Sequence, residues 1–157
     1  MKSYICAAIL TFSAIPAAAE NAIPAFFPNE ASCYGRSYSS DHLNSHPEQR
    51  VTMLAIAPDF AIAHPMIGLW IVGSVRGVPG GDIEGYAYCE NGAPGQLDCG
   101  MEGDAGSFTL SAAKNGGVLI EVGRYGMSFE ANPDYVTLES HRGDDRSFIL
   151  QPLANCP

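Results

Sequence analysis

The chain has 157 residues, of which 17 are Asp or Glu and 8 are Lys or Arg, so its formal net charge at pH 7 is −9. Nucleic acids and anionic lipid surfaces are bound by clustered Lys and Arg. The acidic balance therefore excludes these two classes of partner, and a basic protein or a cation is the partner that charge would attract. The competing interpretation is that the charge only keeps an exported protein soluble.

The first nineteen residues have the pattern of a secretory signal peptide. Lys2 supplies a short positive region, residues 4–15 are mostly apolar, and Ala17-Ala18-Ala19 matches the small-residue cleavage rule. No later run reaches the roughly 18 apolar residues of a membrane-spanning helix, so we expect no integral membrane segment in the mature chain. The pattern predicts an exported protein, periplasmic or secreted, that begins at Glu20. Without Lys2 its formal net charge is −10.

Four cysteines lie in the mature chain, at positions 33, 89, 99 and 156. An even number in an exported chain predicts two disulfides, and four cysteines allow three pairings. We favour Cys89 with Cys99, and Cys33 with Cys156. By chain entropy the first would contribute about 3 kcal/mol and the second about 5 kcal/mol. A zinc site is the competing interpretation, but the cysteines lack the close spacing that such a site needs.

The start of the mature chain predicts an arm, a strand and a short helix. Residues 20–31 are rich in proline, so we expect an extended arm that is not helical. Residues 32–38 alternate as in a strand. Residues 39–47 predict one or two helical turns that end before the proline, with Ser40 or Asp41 as the cap.

The rest of the chain predicts strands at short intervals. Residues 66–76 are the most hydrophobic run of the mature chain and contain the only tryptophan, Trp70, so we place the middle of the core there. Residues 82–90 and 96–100 predict a hairpin that the disulfide between Cys89 and Cys99 would close. Further strands are expected at 50–57, 107–113, 118–122, 127–130, 135–140 and 147–152. Residues 32–157 thus predict one all-β domain, an antiparallel β-barrel or β-sandwich of about 8–10 short strands.

Two groups of residues are weak candidates for metal ligands. His42 and His46 are four residues apart and would share one face of a helix, the geometry from which a zinc or copper site can start. Asp98, Glu102 and Asp104 lie in an acidic, glycine-rich loop whose oxygens suit calcium, but their order does not match the twelve-residue calcium loop. We favour a solvated surface for both groups, and expect no metal and no cofactor.

No catalytic constellation is present in the sequence. There is no G-x-S-x-G motif, and cysteines in disulfides leave no thiolate for nucleophilic attack. The acid pairs Asp82 with Glu84 and Asp144 with Asp145 are interpreted as ordinary surface carboxylates. We therefore expect that the protein is not an enzyme.

Three classes of function are consistent with an exported acidic β domain. The first is a binding protein whose partner is a basic protein. The chain is similar to bacterial periplasmic lysozyme inhibitors in size, export, disulfide and fold class, which implies inhibition of a basic enzyme. No inhibitor motif matches residue by residue, so no site residue is carried over. The second is a carrier of a small apolar ligand, in which Trp70, Phe108 and Phe129 would line a barrel cavity. The third is a metal-binding envelope protein.

Overall fold

A computed structural model describes residues 21–62, 64–131 and 134–157, and it shows a closed antiparallel barrel. The signal peptide predicted at residues 1–19 lies outside the described residues. Nine strands are present in the described chain: β1 Tyr34–Ser37, β2 Val51–Asp59, β3 Ile67–Val75, β4 Asp82–Asn91, β5 Gln96–Met101, β6 Gly106–Ala112, β7 Val118–Glu130, β8 Tyr135–Leu138 and β9 Ser147–Pro152. The prediction of an all-β barrel or sandwich is thereby confirmed, as a barrel.

Eight of the strands close the barrel, and the remaining strand, β8, lies outside it. Sequential hairpins run from β1 to β7, β9 pairs with β7, and β1 pairs with β9. Strand β7 is 13 residues long, where the sequence predicted two strands at 118–122 and 127–130. Its first half pairs with β6 and β9, and its second half pairs with β8. Gly126, at φ 83°, lets the backbone bend there without ending the strand.

Large apolar side chains fill the inside of the barrel. They alternate along each strand with outward side chains, as in β3, where Ile67, Leu69 and Ile71 are each at most 1% exposed. Phe108 and Phe129 are buried in this core, but Trp70 is 54% exposed. The prediction that Trp70 lies in the middle of the core is therefore wrong, because the pleat turns every second residue of this apolar strand outward.

A short helix, α1 (Ala22–Phe26), corrects the prediction of an extended arm. The Asn21 side chain caps it by accepting from the Ile23 amide, and proline is tolerated in a first turn because the first amides have no helical partner. Phe26 and Phe27 are buried in the core cluster. The Ala22 amide donates to the Asn91 side chain at the tip of the β4–β5 hairpin, at 2.8 Å. Helix α1 therefore closes one end of the barrel.

Both disulfides lie toward the end of the barrel that α1 closes. Cys33 is bonded to Cys156, and Cys89 to Cys99, as the spacing favoured. Cys89 and Cys99 are directly opposite each other in the β4–β5 hairpin. Two disulfides indicate an oxidising compartment. No helix in the described part of the chain has the length and apolar character needed to cross a membrane.

A second helix and Arg76 lie at the opposite end of the barrel. Helix α2 (Ser40–Ser45) confirms the predicted helical turns, although its cap is Ser39, one residue before the predicted Ser40. The Arg76 guanidinium donates to the carbonyls of Gln49 at 2.7 Å, His46 at 2.9 Å and Pro47 at 2.8 Å. Its charge is thereby used to hold the loop that follows α2.

Asp145 also lies at this end and corrects the interpretation of Asp144 with Asp145 as two surface carboxylates. Asp145 is only 4% exposed. Its carboxylate accepts from the backbone amides of Arg50 at 2.7 Å and Val51 at 3.1 Å, which fixes the turn before β9 to the start of β2. Burial raises the pKa of Asp145, although these two hydrogen bonds oppose the shift.

Candidate functional site

Carboxylates dominate the outer surface of the barrel over β2–β5. We name this surface the acidic wall; its carboxylates are Asp59, Asp82, Glu84, Glu90, Asp98, Glu102 and Glu130, the last at its edge. In sequence, Arg76 is the sole Lys or Arg between Arg50 and Lys114. Arg76 follows β3, and its guanidinium points at backbone carbonyls beside α2. Strands β2–β5 themselves contain no Lys or Arg.

Aromatic side chains lie among these carboxylates. Trp70 and Tyr86 are partners on β3 and β4, and their rings meet edge to face with centroids 4.7 Å apart. Tyr86 meets Tyr88 in the same way at 5.2 Å. Seven large apolar side chains are exposed in the described chain, and five of them lie on or beside the acidic wall: Phe60, Met66, Trp70, Tyr88 and Tyr135. Exposed Trp and Tyr next to charge are typical of binding surfaces.

Gly68 sets the position of the Tyr86 ring. Tyr86 lies on β4, yet its hydroxyl donates to Asp59 on β2 at 2.9 Å. The phenol crosses β3 at Gly68, where a Cβ atom would overlap the Tyr86 hydroxyl. Glycine is therefore required at position 68, because any other residue would displace the ring from Asp59.

The pKa values of the two phenols of β4, Tyr86 and Tyr88, are both raised. The Tyr88 hydroxyl donates to Glu102 at 3.3 Å, and the charge of that carboxylate raises the pKa of Tyr88. Desolvation, followed by the hydrogen bond to Asp59, raises the pKa of Tyr86. Both hydroxyls are therefore neutral donors at physiological pH.

A cleft of about 360 Å³ opens on the acidic wall between β4 and the outer strand β8. Strand β5 pairs with β4 from Ala87 to Asn91, and β7 meets β4 at Glu84, so the backbone at 85 and 86 faces an opening between these two ladders. We name it the β4–β8 cleft. Its walls combine three aromatic rings and three carboxylates: Trp70, Tyr86, Tyr135, Glu84, Glu102 and Glu130.

The predicted histidine pair is used for local packing. The rings of His42 and His46 stack with centroids 4.2 Å apart. His46 Nδ1 donates to the His42 carbonyl at 2.9 Å, and His42 Nε2 lies 2.9 Å from the Gln49 side-chain oxygen. These contacts hold α2 and the following loop together. Among the residues that the structure describes, no third His, Cys, Asp or Glu side chain joins the pair to hold a metal ion.

The predicted calcium ligands are separated in the structure. Asp98 lies on β5 and accepts from Gln96, Glu102 accepts from Tyr88, and Asp104 lies in a tight 3-10 turn (Glu102–Asp104) at φ 60°. Within residues 21–62, 64–131 and 134–157, no three side chains of His, Cys, Asp or Glu converge to hold a metal ion. The metal hypothesis has no geometric support among these residues.

Sequence reasoning missed the residues that form the cleft. It noticed Glu84 and Glu102 separately, and it placed Trp70 inside. One signal in the sequence points to the surface, the near absence of Lys and Arg between positions 50 and 114. The pairing of Glu84 with Glu130 has no signal in the sequence, because it depends on tertiary register.

No family model, curated protein or solved structure matches this chain. Its function is therefore inferred from its own geometry and charge.

Proposed function

We propose that the protein is an exported, non-enzymatic binding protein that holds a basic protein on its acidic wall. Inhibition of a basic enzyme such as a lysozyme is the biological consequence that this binding would have. One observation supports the proposal: five carboxylates on β2–β5, two more at their edge and a cluster of exposed aromatic rings share one surface, and strands β2–β5 have no Lys or Arg. Complementary charge is what such a surface selects in a partner.

The two kinds of side chain would contribute differently to binding. Carboxylates spread over β2–β5 attract a basic partner over a distance of about one Debye length, which is roughly 10 Å at 0.1 M salt. They accelerate association and exclude acidic partners. The exposed rings of Trp70 and Tyr88 supply apolar area and cation–π contacts once the partner has docked.

The two alternatives have less support. A carrier needs a cavity inside the barrel, but Phe108 and Phe129 are each 1% exposed and pack within the core cluster. Trp70 faces outward and would not line such a cavity. A metal-binding protein needs converging ligands, and none converge in the described ranges.

The test is a titration of the purified protein with a basic lysozyme, by calorimetry, in dilute buffer and again at about 0.5 M NaCl, where the Debye length is about 4 Å. We expect a saturable complex that weakens strongly at the higher salt concentration. A parallel activity assay shows whether the complex inhibits the enzyme.

Two variants of equal charge locate the binding surface. Glu90→Gln with Asp98→Asn removes two carboxylates from the acidic wall, and Glu48→Gln with Asp144→Asn removes two from the end of the barrel near Arg50 and Arg142. We expect the first pair to weaken binding by about fivefold, at about 0.5 kcal/mol per charge, and the second to weaken it less. Equal losses would show that net charge alone acts. No lysozyme binding, or binding that salt does not change, would contradict the proposal.

A further inference from the structure

We propose that the β4–β8 cleft receives one arginine side chain of the basic partner. This inference rests on the proposed function and deepens it, because it names the group that the acidic wall recognises. The guanidinium would lie between Glu84 and Glu130 and against the rings of Trp70 and Tyr135, which line the same cleft.

Two like charges face each other in the cleft. Glu84 on β4 and Glu130 on β7 are directly opposite each other in the sheet, and they are the one pair that joins these two strands. Like charges opposite each other across a strand pair destabilise it. Glu102 adds a third carboxylate to the same cleft. A cation held between them would offset this repulsion.

The size of the cleft indicates how large a cation it can hold. Among the described residues no three His, Cys, Asp or Glu side chains converge closely enough for a metal ion. The cleft has a volume of about 360 Å³, which is enough for an organic side chain. Its carboxylates are therefore suited to an ion larger than a bare metal.

The aromatic rings that line the cleft favour arginine over lysine. The cleft is walled by rings as well as carboxylates, and Trp70 and Tyr135 are 54% and 74% exposed. A guanidinium is planar, stacks on aromatic faces, pairs with carboxylates through two hydrogen bonds and is weakly hydrated. An ammonium is compact and strongly hydrated, so it gains less from the rings. No arginine in the described part of the chain lines the cleft.

The chain carries its own reporter of occupancy. Trp70 is the single tryptophan of the protein, and it lines the cleft. Two blocked pentapeptides serve as probes, one with the sequence Lys-Lys-Arg-Lys-Lys and one of five lysines. They have the same charge and differ only at the central side chain. We expect the arginine peptide to bind about fivefold more tightly and to change Trp70 fluorescence more at saturation.

Two variants with equal loss of charge show whether the preference for the arginine peptide arises in the cleft. Glu84→Gln with Glu130→Gln removes the pair inside the cleft, and Glu90→Gln with Asp98→Asn removes two carboxylates outside it. We expect the first variant to bind both peptides equally. The second should weaken both peptides by a similar factor and keep the preference for arginine. Circular dichroism of each variant confirms that it is folded.

The outcomes separate the inference from the proposed function. Equal, salt-sensitive binding of both peptides to the unmodified protein would overturn the arginine inference and support the binding of basic partners. An arginine preference that survives the Glu84→Gln and Glu130→Gln exchange would overturn the assignment to the cleft. If neither peptide binds while lysozyme does, the arginine inference is wrong and the proposed function stands. If neither the peptides nor lysozyme binds, both proposals are wrong.

Discussion

Two outer surfaces of one barrel differ in how their charges are used. The acidic wall has five carboxylates on β2–β5 and two at its edge, Glu102 and Glu130, and β2–β5 carry no basic side chain. The outer surface of β7, β9 and β1, which we name the mixed wall, has both signs of charge, with Glu121, Arg124 and Arg36 on its strands. Both walls share the same inward alternation of apolar residues. The inward residues therefore specify the fold, whereas the outward residues give the two surfaces their different charge.

Aromatic rings on the mixed wall are paired with the chain's own arginines. The Arg36 guanidinium lies 4.7 Å from the centroid of the Tyr38 ring, and that of Arg124 lies 5.6 Å from Tyr125. On the acidic wall, Trp70 and Tyr88 have carboxylates and other rings as neighbours. Among the described residues, these two rings of the mixed wall thus lie beside arginines of the chain, whereas Trp70 and Tyr88 lie beside rings and a carboxylate.

Removing a disulfide should have the largest effect. Cys33→Ser with Cys156→Ser opens the link that encloses nearly the whole domain, and we expect a loss of about 4–5 kcal/mol of unfolding free energy. Cys89→Ser with Cys99→Ser opens a short hairpin under the acidic wall and should cost about 3 kcal/mol. Denaturant titration measures both. A larger loss from the hairpin would show that β4–β5 packing, rather than chain entropy, dominates the stability of the acidic wall.

Asp145 joins the two walls, and its replacement should have the next largest effect. Asp145→Asn leaves one of the amides of Arg50 and Val51 without an acceptor, so we expect a loss of about 1–3 kcal/mol near neutral pH.

The same variant tests a dependence on pH. Because the folded pKa of Asp145 lies above its ordinary value of 3.8, the folded state holds this proton more tightly than the unfolded state. The stability that Asp145 contributes is therefore full below 3.8 and falls as the pH rises through the folded pKa. We expect the unfolding free energy of the wild type, relative to Asp145→Asn, to rise on acidification. A difference that falls instead would show that the two amide hydrogen bonds outweigh burial.

Gly68→Ala tests the geometry of the acidic wall. The added methyl group would overlap the Tyr86 hydroxyl, so we expect about 1–3 kcal/mol of destabilisation and weaker binding of a basic partner. Gly100→Ala is the matched control, because Gly100 lies on β5 next to Tyr88 and a Cβ there meets nothing within 4 Å. The unfolding free energy of the control should lie within about 0.5 kcal/mol of that of the wild type. Equal losses in the two variants would mean that Gly68 matters only as a glycine in a strand.

Glu84→Gln should have the smallest effect on stability and the opposite sign. It removes one of two like charges that face each other across β4 and β7, so we expect a gain of a few tenths of a kcal/mol in dilute buffer that disappears at high salt. Thermal unfolding in both buffers measures it. A loss of stability in dilute buffer would contradict the repulsion between Glu84 and Glu130.

Local patterns were sufficient to predict most strands and both disulfides. The strand predicted at 147–152 has the same bounds in the structure, and the hairpin between Cys89 and Cys99 follows from its turn and its cysteines. It was harder to predict which face of a strand points into the core. Residues 67–75 are apolar on both sides, so hydrophobicity does not show which side is inside, and Trp70 was placed wrongly.

Features that depend on distant parts of the chain could not be predicted. Glu84 and Glu130 are 46 residues apart, and their register follows from closure of the whole barrel. The cleft lies between the end of the β4–β5 pairing at Ala87 and the β4–β7 pairing at Glu84. Helix α1 was missed because proline was interpreted as a helix breaker, whereas in a first turn its missing amide costs no hydrogen bond.

Collisional quenching of Trp70 tests the central claim most directly, because the single tryptophan lies within the acidic wall. Caesium and iodide quench exposed indole, and free N-acetyltryptophanamide gives the reference for an uncharged environment. Relative to this reference, we expect caesium to quench Trp70 more efficiently than iodide and added salt to reduce the difference. We also expect the lysine peptide to protect Trp70 from caesium. Iodide quenching as efficient as caesium, or no quenching by either ion, would contradict an exposed, negatively charged binding surface.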